Sequence, residues 1–81
     1  MKGKINYRAL LGVIQNNQEL SQLVSEGLEM PLALVYTLTV GGKSDDDTTE
    51  YLDWVYNDKV AKDEKLLEAY KSNEQLLAQN V

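Results

Sequence analysis

"PLALVYTLTV", Pro31 to Val40, is the stretch on which the fold turns. Leu32, Leu34, Tyr36, Leu38 and Val40 alternate with Ala33, Val35, Thr37 and Thr39, a period of two in residues that favour extended structure. That pattern argues for a strand. Against it, Pro31 suits the first turn of a helix, Leu34 and Leu38 stand four apart, and a two-stranded hairpin is weakly stable by itself. A hairpin would have to pair 32–40 with 49–56 across "GGKSDDDT". The decision therefore passes to the second segment.

In the stretch from Thr48 to Asn57, Tyr51, Leu52 and Val55 share one helical face, and Asp45, Asp46 and Asp47 come immediately before it. Carboxylates at a helix cap and first turn accept from unpaired backbone N–H groups and interact favourably with the helix dipole. Acids before apolar residues are what a helix start requires, and a helix here deprives 32–40 of its hairpin partner. The expectation is an all-α fold, a small bundle of four to five short helices forming one domain over 1–81. The alternative is an α+β fold with a β-hairpin formed by 32–40 and 49–56.

The flanking elements are plainer. A first helix is expected after Asn6, a capping residue, carrying Leu10, Leu11, Val13 and Ile14 and stopping at "QNN", 15–17. A second begins near Gln18, with Leu20, Leu23, Val24 and Leu28 on one face and Gly27 as a candidate left-handed terminator. The last helix, from about Lys62 to Gln79, has neither Gly nor Pro and places Leu66, Leu67, Tyr70 and Leu77 along one side. Asp58 and Lys62 have the spacing of an intrahelical ion pair. Asn73 and Asn80 lie in register with Leu66, Tyr70 and Leu77, the spacing of a register-setting polar position, although solvent exposure near the C-terminus is the simpler expectation.

Eighty-one residues support one small core, so efficient packing or a partner is needed for stability. The chain lacks cysteine and histidine, which removes disulfides, the usual soft metal ligands and the commonest general base and nucleophile. No cofactor or metal is expected, and the expectation is that the protein is not an enzyme. "DDDTTEYLD" offers oxygen ligands at several calcium-loop positions, but Glu50 stands where the loop needs glycine and Tyr56 where it needs a bidentate glutamate. "VGGK" lacks the spacing of a phosphate loop.

The N-terminal "MKGKINYRALLGVIQNN" has the charge order of a signal peptide, but Arg8 and Gly12 interrupt it and no small-residue cleavage site follows. Pro31–Val40, the longest apolar run, is about half the ~20 residues that span a bilayer. A cytoplasmic protein without a membrane span is expected.

Charge is the most informative bulk property. The net charge is −5, and residues 19–58 hold the whole excess, with nine acids against Lys43 alone. A nucleic-acid binder needs a basic stripe, so no direct nucleic-acid contact is expected. A helix-turn-helix over 7–28 is disfavoured by Glu19, Glu26 and Glu29.

The functional signal is a patch. Asp45, Asp46, Asp47, Glu50, Asp53 and Asp58 surround Trp54, the composition of a surface that docks on a basic protein, with Trp54 as anchor. The competing role for Trp54 is as the largest core residue of a chain without phenylalanine. The leading expectation is thus a small acidic protein-interaction module that binds or inhibits a basic partner, a size and composition that fit an accessory protein of a phage or mobile element. The alternative is an assembly component, a homo-oligomer that self-associates through apolar helix surfaces, with Leu66, Tyr70 and Leu77 of the last helix as contacts and 32–40 contributing apolar surface.

Overall fold

The computed structural model describes residues 5–79. Five helices follow one another: α1 (Tyr7–Gln15), α2 (Gln18–Leu28), α3 (Leu32–Val40), α4 (Asp46–Val55) and α5 (Glu64–Gln79), with a π turn, Tyr56–Val60, extending α4. Four of the five begin on a side chain that satisfies the first free N–H groups. Asn6 Oδ1 accepts from Ala9 N at 3.1 Å, Asn17 Oδ1 from Leu20 N at 3.0 Å and Asp45 Oδ1 from Thr48 N at 2.8 Å. Asp63 Oδ1 accepts from Lys65 N and Leu66 N at 3.0 and 3.2 Å. The "QNN" break works from both sides, since Asn16 closes α1 and Asn17 opens α2.

The segment 32–40 is helical, and no strand occurs among the described residues. The β-hairpin alternative is therefore corrected, for the reason visible in its partner: Asp45 caps 46–55 as a helix and leaves 32–40 no edge to pair with. Pro31, at φ −61°, opens α3 without a side-chain cap. Gly42, at φ +74°, closes it, and Lys43 N donates to Leu38 O at 2.8 Å.

Three finer expectations are revised. Gly27 is not a left-handed terminator. It lies inside α2, and Glu29, at φ 56°, supplies the left-handed residue while Met30 N donates to Ser25 O. Glycine is needed at 27 for space, because a Cβ there would overlap the Tyr51 ring, whose hydroxyl donates to Leu23 O at 3.1 Å. The last helix starts at Glu64 and not at Lys62, because Asp63 caps it. Asp58 and Lys62 consequently share no regular helical turn: Asp58 is in the π turn and Lys62 in the bend before α5.

The core is built around α1. Ala9, Leu10, Leu11, Val13 and Ile14, five of its nine residues, are buried, and α2, α3 and α5 pack against it. Leu20, Val24, Val35, Leu52, Val55, Val60 and Tyr70 complete the buried set. Each fully buried aliphatic side chain contributes about 1.5–3 kcal/mol relative to exposure. Asn73 Nδ2 donates to Ala9 O at 3.2 Å, and a Cβ on Gly12 would lie 2.9 Å from that nitrogen, so Gly12 permits the close approach of α1 and α5. Asn73 is therefore neither a self-association register position nor a free surface residue. Lys2, Lys4 and Asn80 lie outside the described residues.

Among the described residues no single helix is long and apolar enough to cross a membrane. Taken together α2 and α3 have the length and composition, but they are bent by 76°.

Candidate protein-docking surface

The seven residues expected at the acidic patch fall into two groups. Asp45 and Asp53 have internal tasks. Asp45 caps α4, and the backbone N–H of Thr48 holds its carboxyl below the ordinary aspartate range. Asp53 is half-buried and accepts from the Tyr7 hydroxyl at 2.5 Å, tying the start of α1 to α4. Burial and the adjacent Asp53 carboxylate push the Tyr7 hydroxyl up to about 12.

The other five, Asp46, Asp47, Glu50, Trp54 and Asp58, are exposed. At 100° per residue, Asp46, Glu50, Trp54 and Asp47 fall within roughly one quadrant of α4. Leu52 and Val55, on the opposite side, are fully buried. The helix thus divides its faces cleanly, and Trp54 goes with the acids, with 40% of its surface exposed. Trp54 is therefore not the central core residue; Leu10, Leu11, Ile14 and Leu52 fill that place.

Its ring is nonetheless held. The Tyr51 ring lies against it with centroids 5.4 Å apart at 45°, and Tyr51 is anchored to Leu23 O. Lys59 Nζ stands over the indole at 5.4 Å. In a continuous α-helix Asp58, four residues on, would lie next to Trp54. A π turn follows, with Ala61 N donating to Tyr56 O at 2.8 Å, and it is the residue five positions on, Lys59, whose ammonium stands over the ring. An ammonium is thereby placed on an aromatic face among carboxylates, a contact of about 0.5–1 kcal/mol at an exposed site. Sequence spacing could not show Lys59 as a participant, because an i+5 neighbour is adjacent only where the helix is wide.

The expected self-association surface on α5 is folded inward. Leu66 and Leu77 are half-buried against the core, and Tyr70 is only 4% exposed. Its hydroxyl accepts from Asn6 N at 2.9 Å and donates to Glu74 at 3.2 Å, while its ring packs on Tyr56 with centroids 4.9 Å apart. The stripe read as a subunit contact covers α1 of the same chain. Leu76, 55% exposed, is the large apolar residue that α5 leaves outside.

Among the described residues no three His, Cys, Asp or Glu side chains converge on a point where a metal ion could sit. The carboxylates of α4 point along an open helix face, suited to long-range attraction of a basic surface and not to enclosing a small ligand.

Comparison of the chain with protein-family models, curated proteins and solved structures finds no match in any of the three.

Proposed function

We propose that this protein is a small, non-enzymatic interaction module that docks on a basic protein surface through the outer face of α4 and the π turn. Trp54 is the anchor, Asp46, Asp47, Glu50 and Asp58 supply complementary charge, and Asp45 and Asp53 hold the helix that presents them. The observation that carries this reading is the exposure of Trp54 among carboxylates on a helix whose opposite face is fully buried. A large aromatic residue ringed by polar groups is the usual composition of an interface hot spot. The Lys59 ammonium on its ring indicates the chemistry of the occupant: a lysine or arginine of the partner takes the same position. A cytoplasmic setting and an accessory role in a phage or mobile element belong to the same proposal, supported by size and charge alone.

Trp54 is the only tryptophan in the chain, so its emission reports the site directly. Titration with an arginine-rich peptide should shift that emission, with an affinity that falls as salt is raised. Changing Asp46, Asp47 and Glu50 together to Asn, Asn and Gln should remove most of the salt dependence, and Trp54→Ala, followed by calorimetry, should weaken binding about tenfold or more. Unchanged emission, or equal affinity for all three proteins, would sink the proposal.

A further inference from the structure

Lys59 stands where the cation of a docking partner would go. Its Nζ lies 5.4 Å from the centroid of the Trp54 ring, the large aromatic surface that α4 leaves exposed. Tyr51 flanks the same ring, with centroids 5.4 Å apart at 45°, and is itself anchored to Leu23 O. A cation arriving from outside therefore meets an indole already flanked by a tyrosine and covered by an ammonium of the same chain.

The backbone around Lys59 is tied down on both sides. Val55 and Val60 are fully buried, Tyr56 packs on Tyr70, and Ala61 N donates to Tyr56 O at 2.8 Å. Lys59 itself is exposed, so its four-carbon stem can leave the ring without disturbing a buried contact. The fixed backbone keeps the ammonium at high effective concentration over the indole. At an exposed site such a contact is populated most of the time yet is readily displaced: its strength leaves the ring vacant for about a sixth to a third of the time. An external cation that needs the ring then binds about three- to sixfold more weakly than it would to an empty one.

We infer that Lys59 is a built-in competitor for the docking site: in the free protein its ammonium occupies the Trp54 ring, and a lysine or arginine of the partner binds there by displacing it. The inference rests on the docking role proposed for the α4 face. Its consequence is a site held below its full affinity, which any change that neutralises or removes the Lys59 ammonium raises.

Calorimetric titration of the full chain with oligo-arginine tests it against a matched control. Lys59→Gln and Lys62→Gln each take the net charge from −5 to −6, but only the first uncovers the ring. Both residues are exposed, so both variants should keep the helical circular dichroism spectrum. Lys59→Gln should bind the peptide about three- to sixfold more tightly than Lys62→Gln does. In the free wild type the ε-methylene protons of Lys59 should resonate upfield of those of the other lysines, under the indole ring current, and should return to ordinary positions as the peptide saturates the site. If none of the three proteins binds oligo-arginine, the docking role falls and the inference with it. If they bind, but Lys59→Gln is no tighter than Lys62→Gln, the docking role stands and the inference is overturned, with Lys59 a bystander or a contact for the partner. Lys59 protons that stay upfield in the saturated complex overturn it as well.

Discussion

Glu29 holds the least favourable backbone position among the described residues, the one non-glycine residue there with positive φ, at 56°. The chain needs a left-handed residue at that point so that Met30 N can reach Ser25 O and the path can turn into Pro31. A side chain with a Cβ pays in steric strain for that conformation, and a carboxylate at a helix C-terminus also opposes the dipole. Both effects have the same sign. Glu29→Gly should therefore stabilise the fold by about 1 kcal/mol, a rise in melting temperature of about 4–8 °C for a domain of this size. Calorimetry measures it; an unchanged or lower melting temperature would show that the strain is relieved elsewhere. Gly27, two residues earlier, teaches the opposite lesson. Its identity is set by Tyr51 on a distant helix, and no inspection of α2 alone could reveal that.

The dependence of α2 on α4 gives the element-scale prediction. Alanine is normally worth about 1 kcal/mol more than glycine inside a helix. At position 27 the order should invert: Gly27→Ala should destabilise by about 1–3 kcal/mol, because the methyl displaces Tyr51 and its bond to Leu23 O. In a Tyr51→Ala background the same substitution should become neutral or stabilising, and denaturant unfolding of the four proteins reads the coupling. At this scale most of the fold was legible in the sequence. α1, α2 and α5 carry a 3.6-residue apolar period, and Asn6 marks the start of α1, whereas the capping roles of Asn17 and Asp63 emerged only in the structure. α3 was not legible from its own residues, because a segment apolar on all sides shows no helical face and its alternation imitates a strand. The acids of the following segment settled it. The π turn was invisible for a different reason: one extra residue in a helical repeat changes spacing without changing composition, so the contact of Lys59 with Trp54 could not be read from the sequence. The acidic group of the candidate site was legible as a cluster. A capping place for the aspartates ahead of α4 was legible too, but the inward role of Asp53 was not, since that depends on Tyr7, 46 residues away in the chain.

The same tyrosine contacts join the ends of the chain, and they make the whole molecule sensitive to alkali. Tyr7 donates to Asp53, linking α1 to α4, and Tyr70 connects the backbone of Asn6 to Glu74, linking the start of α1 to α5. Each bond to a carboxylate requires the phenol to keep its proton, because a phenolate cannot donate and would face a carboxylate of like charge. Tyr7 is accordingly pushed up from its ordinary 10.0 to about 12, chiefly by burial and then by Asp53, and Tyr70 is raised as well, chiefly by burial. Since the folded chain holds these protons more tightly than the unfolded chain, their stabilisation is complete below about pH 10. It falls as the pH rises from there to about 12, where the folded Tyr7 also ionises. Stability followed by denaturant unfolding should be flat in this respect from neutrality to about pH 10 and then decline. Tyr7→Phe should be less stable at neutral pH through loss of the Asp53 bond, by about 1 kcal/mol. It should also decline less steeply between pH 10 and 12, because one of the two raised phenols is gone. Parallel pH profiles for the two proteins would mean that Tyr7 and Asp53 do not couple the N-terminal helix to α4, and that alkaline unfolding arises from charge repulsion spread over the acidic chain.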